Sequence, residues 1–198
     1  MAVADILLSP ASIWTAPVGE PLPDETTVEF GDDWGGNWVN AGYTTAPISL
    51  SRTVDEYELS VEQITNPVKR IITKETVMVE TILAEQTRQN MALALNGTAS
   101  VVAAGASQRG YEQVVAGGGT ALNQYAVGFE GLYKTAANLE FPVRVILYIC
   151  TVSMNGALEF SKAKEAGIPV QVKTLADTSK AVGQQILIWQ KVTAEATS

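Results

Sequence analysis

The chain contains no histidine and only one cysteine, and each shortage removes a class of chemistry. Without imidazole it lacks the commonest general base, the Ser-His and Cys-His nucleophile pairs and the usual zinc ligand. Cys150 lies inside the apolar run Val145–Val152, so a buried small hydrophobe is expected there rather than a nucleophile or metal ligand. Nothing calls for an oxidising compartment. Long hydrophobic runs are missing as well, none approaching the roughly 18–20 residues needed to cross a bilayer. Met1 to Leu8 carry no basic region and only a three-residue greasy patch, so a secretory signal is not expected.

Basic residues are scarce at one end. Residues 1–62 hold eleven acidic side chains against Arg52 alone, whereas the rest of the chain holds ten acids and twelve bases. Counterion-driven binding to nucleic acid needs clustered Lys and Arg, and the N-terminal third offers the reverse. DNA meeting that third would be repelled.

What is present suits one globular domain. The 198 residues are 46% apolar, enough for a real core and too apolar for a disordered chain. Catalytic leads are thin. Asp32 with Asp33, and Glu56 with Glu58, are formal carboxylate pairs, but adjacent acids in a glycine-rich loop or along a strand face are usually solvated. Ser161 and Lys164 match an S-x-x-K pattern without its companion motifs. Gly117-Gly118-Gly119-Thr120 lacks the Lys-Ser/Thr of a phosphate loop, and Asn96-Gly97-Thr98 is a glycosylation sequon only in a secreted chain. Asp32, Asp33 and Asn37 do not have the spacing of a calcium loop. No catalytic residue, cofactor or metal is expected.

The most informative stretch runs from Glu56 to Gly97. Tyr57, Leu59 and Val61 alternate with Glu56, Glu58, Ser60 and Glu62, giving a strand with one apolar and one wet face. After an expected turn at Thr65-Asn66-Pro67, Val68–Ala84 reads as one long strand, with a bulge expected near Ile71-Ile72. At about 3.3 Å per residue it would reach roughly 55 Å, against about 17–20 Å for a typical strand. A domain this small cannot cover it. Val77, Val79 and Leu83 look like core, and Lys69, Arg70, Lys74 and Glu75 like an extension that another copy must meet.

The remaining segments follow from punctuation and period. Residues 1–23 are an entry segment with a strand at Ser12–Val18, and 24–47 form a long loop rich in Trp and Gly. Its Trp34, Trp38 and Tyr43 either tuck back on the same domain or dock on a neighbour. Residues 48–84 form the long hairpin, beginning with separate strands at Ile48–Leu50 and Glu56–Ile64. A helix is expected over 86–96, with Met91, Ala92 and Leu95 on one face and Gly97 as its stop. Residues 98–121 read as a glycine-rich loop with a short strand near Tyr111–Val115. Within 122–198, strands are expected at Gln124–Phe129, Phe141–Met154, Ile168–Leu175 and Gln184–Val192. Asn155-Gly156 predicts a tight turn into a further strand at Ala157–Ser161. The fold class is mainly β (α+β): a sandwich or barrel-like domain with one flanking helix, a long hairpin and extended loops.

The order of these segments resembles a known family. It is carried by Ile13-Trp-Thr-Ala-Pro17-Val-Gly19-Glu-Pro-Leu-Pro23, Trp38 and Gly42-Tyr43-Thr44, then Glu58-Leu-Ser-Val-Glu-Gln63 and Asn66-Pro67-Val68. Thr81-Ile-Leu-Ala-Glu85-Gln-Thr-Arg-Gln-Asn90 into Ala92-Leu-Ala-Leu95, Phe160-Ser-Lys, Ile168-Pro169-Val170 and Leu175-Ala-Asp177 continue it. Together they resemble the tail tube (major tail) proteins of bacteriophages with long, non-contractile tails, over most of the chain and least clearly over 98–140. The resemblance implies a β-sandwich with one helix, assembled as hexameric rings stacked into a hollow tube in the virion, after assembly in the host cytoplasm. It implies a tape-measure protein, a terminator and tail-tip proteins as partners, no membrane, and DNA passing through without specific binding. Trp34, Trp38 and Tyr43 then become candidates for contact between rings. Glu56, Glu58 and Glu62 become candidates for lining the lumen, although alternation alone leaves the outer surface equally open to them. Two other readings stand beside it: a related ring-forming protein, such as a terminator or a contractile-system tube, and a carbohydrate-binding sandwich using Trp34, Trp38 and Tyr43 as a platform.

Overall fold

The computed structural model describes residues 11–119, 121–134, 139–162 and 165–194. Among them, the elements in chain order are β1 (Ser12–Pro17), β2 (Val39–Asn40), β3 (Ser49–Val61), β4 (Ile64–Leu83), α1 (Arg88–Leu95), β5 (Thr98–Val102), β6 (Tyr111–Val115), β7 (Gln124–Lys134), β8 (Glu140–Met154), β9 (Ile168–Leu175) and β10 (Leu187–Lys191). Eight strands form one antiparallel sheet in the order β2-β1-β7-β8-β9-β4-β3, with β10 also paired to β8. The strands β5 and β6 make a separate two-stranded sheet. The protein is therefore mainly β with one described helix, a sandwich-like α+β fold.

β8 is the axis of the sheet. One edge pairs with β7, and the other is shared by β10 along Val143–Leu147 and β9 along Ile149–Met154. Between the pairs Val127↔Leu147 and Tyr125↔Cys150 the register slips by one residue. Such a bulge turns the strand over locally. It lets β8 give Leu147, then Cys150 and Val152, to the same core.

To these residues of β8 that core adds Ile13, Val77, Val79, Leu83, Val127, Ile168, Val170 and Val172 from four further strands, with Ala94 of α1 laid over them. Val77, Val79 and Leu83 are core, as their alternation implies. The helix is shorter than expected and its buried face is shifted: Asn90 and Ala94 are buried, Met91 packs partly against the core as expected, and Leu95 is 39% exposed. Asn90 decides this, because its Nδ2 donates to the carbonyls of Ala41 (2.8 Å) and Glu85 (2.9 Å). Thr87 caps the N-terminus, and the left-handed stop is Asn96 (φ 52°) rather than Gly97. Gly97 has a different duty, since a Cβ there would lie 2.8 Å from both Val114 Cγ1 and Val115 O. Chain passes too close for a side chain.

Two expected turns are absent. The ribbon tip is Glu62-Gln63, and Thr65-Asn66-Pro67 lies inside β4, where the pairing is irregular between Leu59 and Val61. Proline is tolerated there because an open edge asks nothing of its missing N–H. Asn155-Gly156 does not start a hairpin, and 157–161 is not a strand. Instead Asn155 N donates to Pro169 O at 3.0 Å, and β9 takes the place beside β8. The separate strands expected at Ile48–Leu50 and Glu56–Ile64 merge into one continuous β3 that ends at Val61, with Ile64 already in β4, and β5 falls within the expected loop. Thr120, Lys164 and residues 1–10 lie outside the described residues.

Candidate assembly surface

β3 and the outer half of β4 leave the body as a bare two-stranded ribbon. The body-side half of β4 is sealed by β9, which pairs Met78–Leu83 with Ile168–Lys173. Beyond it, from Ile64 to Thr76, β4 pairs only with β3, and β3 is the last strand of the sheet. Residues 55–66 are all exposed on both faces. The expected bulge sits beside Ile72: Asp55 faces Lys74 and Glu56 faces Ile72, leaving Thr73 unpaired with its Oγ1 donating to Asp55 O at 3.0 Å.

Register sorts the ribbon's side chains onto two faces. Tyr57 lies opposite Ile71 and Leu59 opposite Lys69, so one face carries Tyr57, Leu59, Val61 and Ile71. Tyr57 is 57% exposed and Ile71 47%. The other face carries Glu56 opposite Ile72 and Glu58 opposite Arg70, with an ion pair of 2.8 Å between Arg70 Nε and Glu58 Oε1. Glu62 is at the tip. The three acids are thus brought onto one projecting element, two of them on a shared face, and all are open to solvent. An apolar strip this size, hung on a strand pair with free backbone valences, is unusual for a chain that acts alone.

Trp34 and Trp38 go elsewhere. They are only 4% and 5% exposed, packed on the face of the sheet opposite α1. Trp34 stacks on Trp14 (centroids 5.2 Å, planes 11° apart) and meets Trp38 edge-on at 5.0 Å. Trp38 Nε1 donates to Pro21 O at 2.8 Å. Gly128 makes room, because a Cβ on it would lie 2.4 Å from Trp34 Cζ3. Of the two fates open to this loop, the indoles take the inward one. Tyr43 alone of the three stays at the surface, 81% exposed, beside an open groove of about 860 Å³ bordered by Phe30, Asn40, Pro47 and Ile48.

A buried ion pair that sequence reasoning missed clasps the loop. Glu130 on β7 and Arg144 on β8 are cross-strand partners, 0% and 2% exposed, with Arg144 Nε 3.3 Å from Glu130 Oε2. Arg144 Nη2 donates to Val28 O at 2.5 Å, and Gly31 N donates to Glu130 Oε1 at 3.1 Å. Both ends of the pair therefore hold loop backbone. The guanidinium also lies 5.7 Å from the Trp34 ring centroid. The available signal was one charge in the interior of each of two largely apolar strands, whose other charges, Lys134 and Glu140, stand at their ends.

Outer carboxylates finish the loop. Glu20 accepts from Asn37 Nδ2 (2.8 Å) and Asn37 N (2.9 Å), and these bonds hold its carboxyl below the usual range. Asp24 accepts from the hydroxyl and N–H of Thr26 and from Thr27, with the same direction of shift. The residues 39–47 are stitched down as well: β2 pairs with β1, Thr45 N donates to Ile82 O, and Ala84 N to Tyr43 O. Asp33 serves a turn, accepting from Gly35 N at 3.0 Å. Among the described residues, no group of three or more carboxylate or thiol side chains converges to hold a metal ion, and no helix is long and apolar enough to cross a membrane. In comparison with known proteins, no family model and no curated protein matches this chain.

Proposed function

We propose that the protein is a structural subunit that polymerises through its ribbon, as stacked rings forming the tube of a phage tail and the conduit for its DNA. The observation that supports this reading most is the ribbon itself: two open backbone edges and an exposed Tyr57–Leu59–Ile71 face on one projecting strand pair. A second copy laid along it satisfies the edge and removes apolar area from water together, at about 25 cal/mol per Å². The acids at 56, 58 and 62 then stand on the element that builds the wall, where carboxylates discourage phosphate from adhering. Tyr43 and its groove suit a contact between successive rings. A sugar platform is less well served, since two of its three rings are inside the protein.

Negative-stain electron microscopy of the purified chain tests the proposal. Hollow tubes of uniform width are expected on concentration. Single rings that never stack would favour a terminator, and a monodisperse monomer would end the assembly reading. If Glu58 and Glu62 face the lumen, replacing both with Lys leaves tubes intact and slows DNA ejection; unchanged ejection kinetics would put them outside.

A further inference from the structure

The ribbon's two edges carry opposite charge. On β3 the charged residues are Asp55, Glu56 and Glu58 with the single base Arg52; on the outer half of β4 they are Lys69, Arg70 and Lys74 with the single acid Glu75. Two ion pairs, Arg52–Glu75 and Arg70–Glu58, use up one charge of each sign on each strand. What is left is fully segregated. Asp55 and Glu56 on β3, and Lys69 and Lys74 on β4, make no ion pair among the described residues.

We infer that this segregation makes the ribbon a directional connector: the acidic β3 edge of one copy pairs with the basic β4 edge of the next, and like edges refuse each other. Within one copy β3 and β4 run antiparallel, so a neighbour related by rotation about an axis along the strands brings its β4 antiparallel to β3. The backbone bonding is then ordinary. By register Asp55 shares a face with Lys74 and Lys69, the two unpaired bases, whereas the base on the face of Glu56 is Arg70, already paired with Glu58. Across the seam Asp55 therefore meets the free lysines, and Glu56 adds to the acidic edge. A two-fold dimer through β3 satisfies the backbone equally well but sets acids against acids, which is destabilising for charges directly opposite. Head-to-tail contacts propagate into a ring or helix, whereas a two-fold contact stops at two copies. Charge thus selects, from two pairings the backbone allows, the one that keeps growing. The inference rests on the ribbon-assembly reading above.

Reciprocal edge reversal tests it. One variant carries Asp55→Lys and Glu56→Lys; the other carries Lys69→Glu and Lys74→Glu. All four sites are exposed and none belongs to the tryptophan cluster, so near-ultraviolet circular dichroism should match wild type. Because Asp55 faces Lys74 within one ribbon, hydrogen exchange of the ribbon amides in dilute protein should match it too. Each variant alone has two like edges, and its critical concentration for assembly should rise roughly tenfold or more, from cross-strand pairs turned repulsive. An equimolar mixture should recover assembly by alternation, and so should all four changes in one chain. Wild-type assembly should also weaken at about 1 M salt, where the Debye length is about 3 Å. Single variants that assemble like wild type, or a mixture that stays dispersed, would overturn the directional seam while leaving assembly itself standing. A wild-type chain that never assembles removes the reading beneath it instead.

Discussion

The two halves of β4 share one strand and one kind of residue, yet have opposite surroundings. From Val77 to Leu83 every second side chain is buried, with β9 along one edge from Met78 and β3 along the other as far as Glu80. From Ile64 to Thr76 the same β-branched and aliphatic content meets only β3, and Ile71 and Ile72 stand about half exposed. Strand formation in the inner half follows from burial within the chain. In the outer half the strand continues through a bulge beside Ile72, and nothing among the described residues covers it. A regular strand is therefore no proof of a local core; under the assembly proposed above, the missing half belongs to another copy.

Ion pairs give the sharpest contrast. Glu130→Ala should destabilise the domain by about 3–5 kcal/mol in denaturant unfolding, because Arg144 stays buried without its counter-charge. Arg70→Ala, which breaks an exposed pair on the ribbon, should change monomer stability by under about 1 kcal/mol. Equal losses at the two sites would abolish the distinction between body and ribbon. The apolar counterpart compares Leu83→Ala, expected to cost about 2–5 kcal/mol by leaving a cavity, with Ile72→Ala, expected within about 0.5 kcal/mol for the monomer. Assembly should respond in the opposite order.

Thiol chemistry sharpens the comparison further. Burial pushes Cys150 up to about 12. Its folded pKa is above the unfolded one, so the stability it contributes is full at neutral pH and is lost as pH climbs toward that value. Near pH 8 it should resist a thiol reagent until the protein unfolds, whereas Ile72→Cys on the ribbon should react at once. Prompt labelling of Cys150 in folded protein would mean that the β7–β8 core opens readily.

The smallest effect is at the loop. Glu20 and Asp24 are held below their usual carboxylate range by hydrogen bonds from Asn37 and Thr26. A depressed acid contributes stability above its unfolded pKa and loses it as pH falls through the folded value. Acidification below about pH 4 should therefore loosen residues 20–38, read as a shift in tryptophan emission, before the sheet melts. A flat emission profile there would show that the Glu130–Arg144 clasp suffices alone.

Much of the fold was legible in local pattern. The bounds of β9 coincide with its expected range, β8 with its apolar run to within a residue, and the ribbon faces with the alternation at Tyr57, Leu59 and Val61. What escaped depends on partners distant in sequence. The Asn155-Gly156 turn signal yielded to β9, whose pairing with β8 offers a ladder that a local hairpin cannot match. The inward course of Trp34 depends on the space over Gly128, and the clasp depends on register setting Glu130 against Arg144. Neither is written near the tryptophans. In the candidate surface, the acids and the overlong ribbon could be read directly, whereas the fate of Trp34 and Trp38 stayed open until the sheet was laid out.

The most direct measurement is hydrogen exchange of the ribbon amides in dilute and assembled protein. Protection should rise across 53–76 on assembly, at the edges that face outward in the single chain, and change little within β7 and β8. Assemblies whose ribbon amides exchange as fast as in the monomer would contradict the account, because sister copies would then be joined by some other surface.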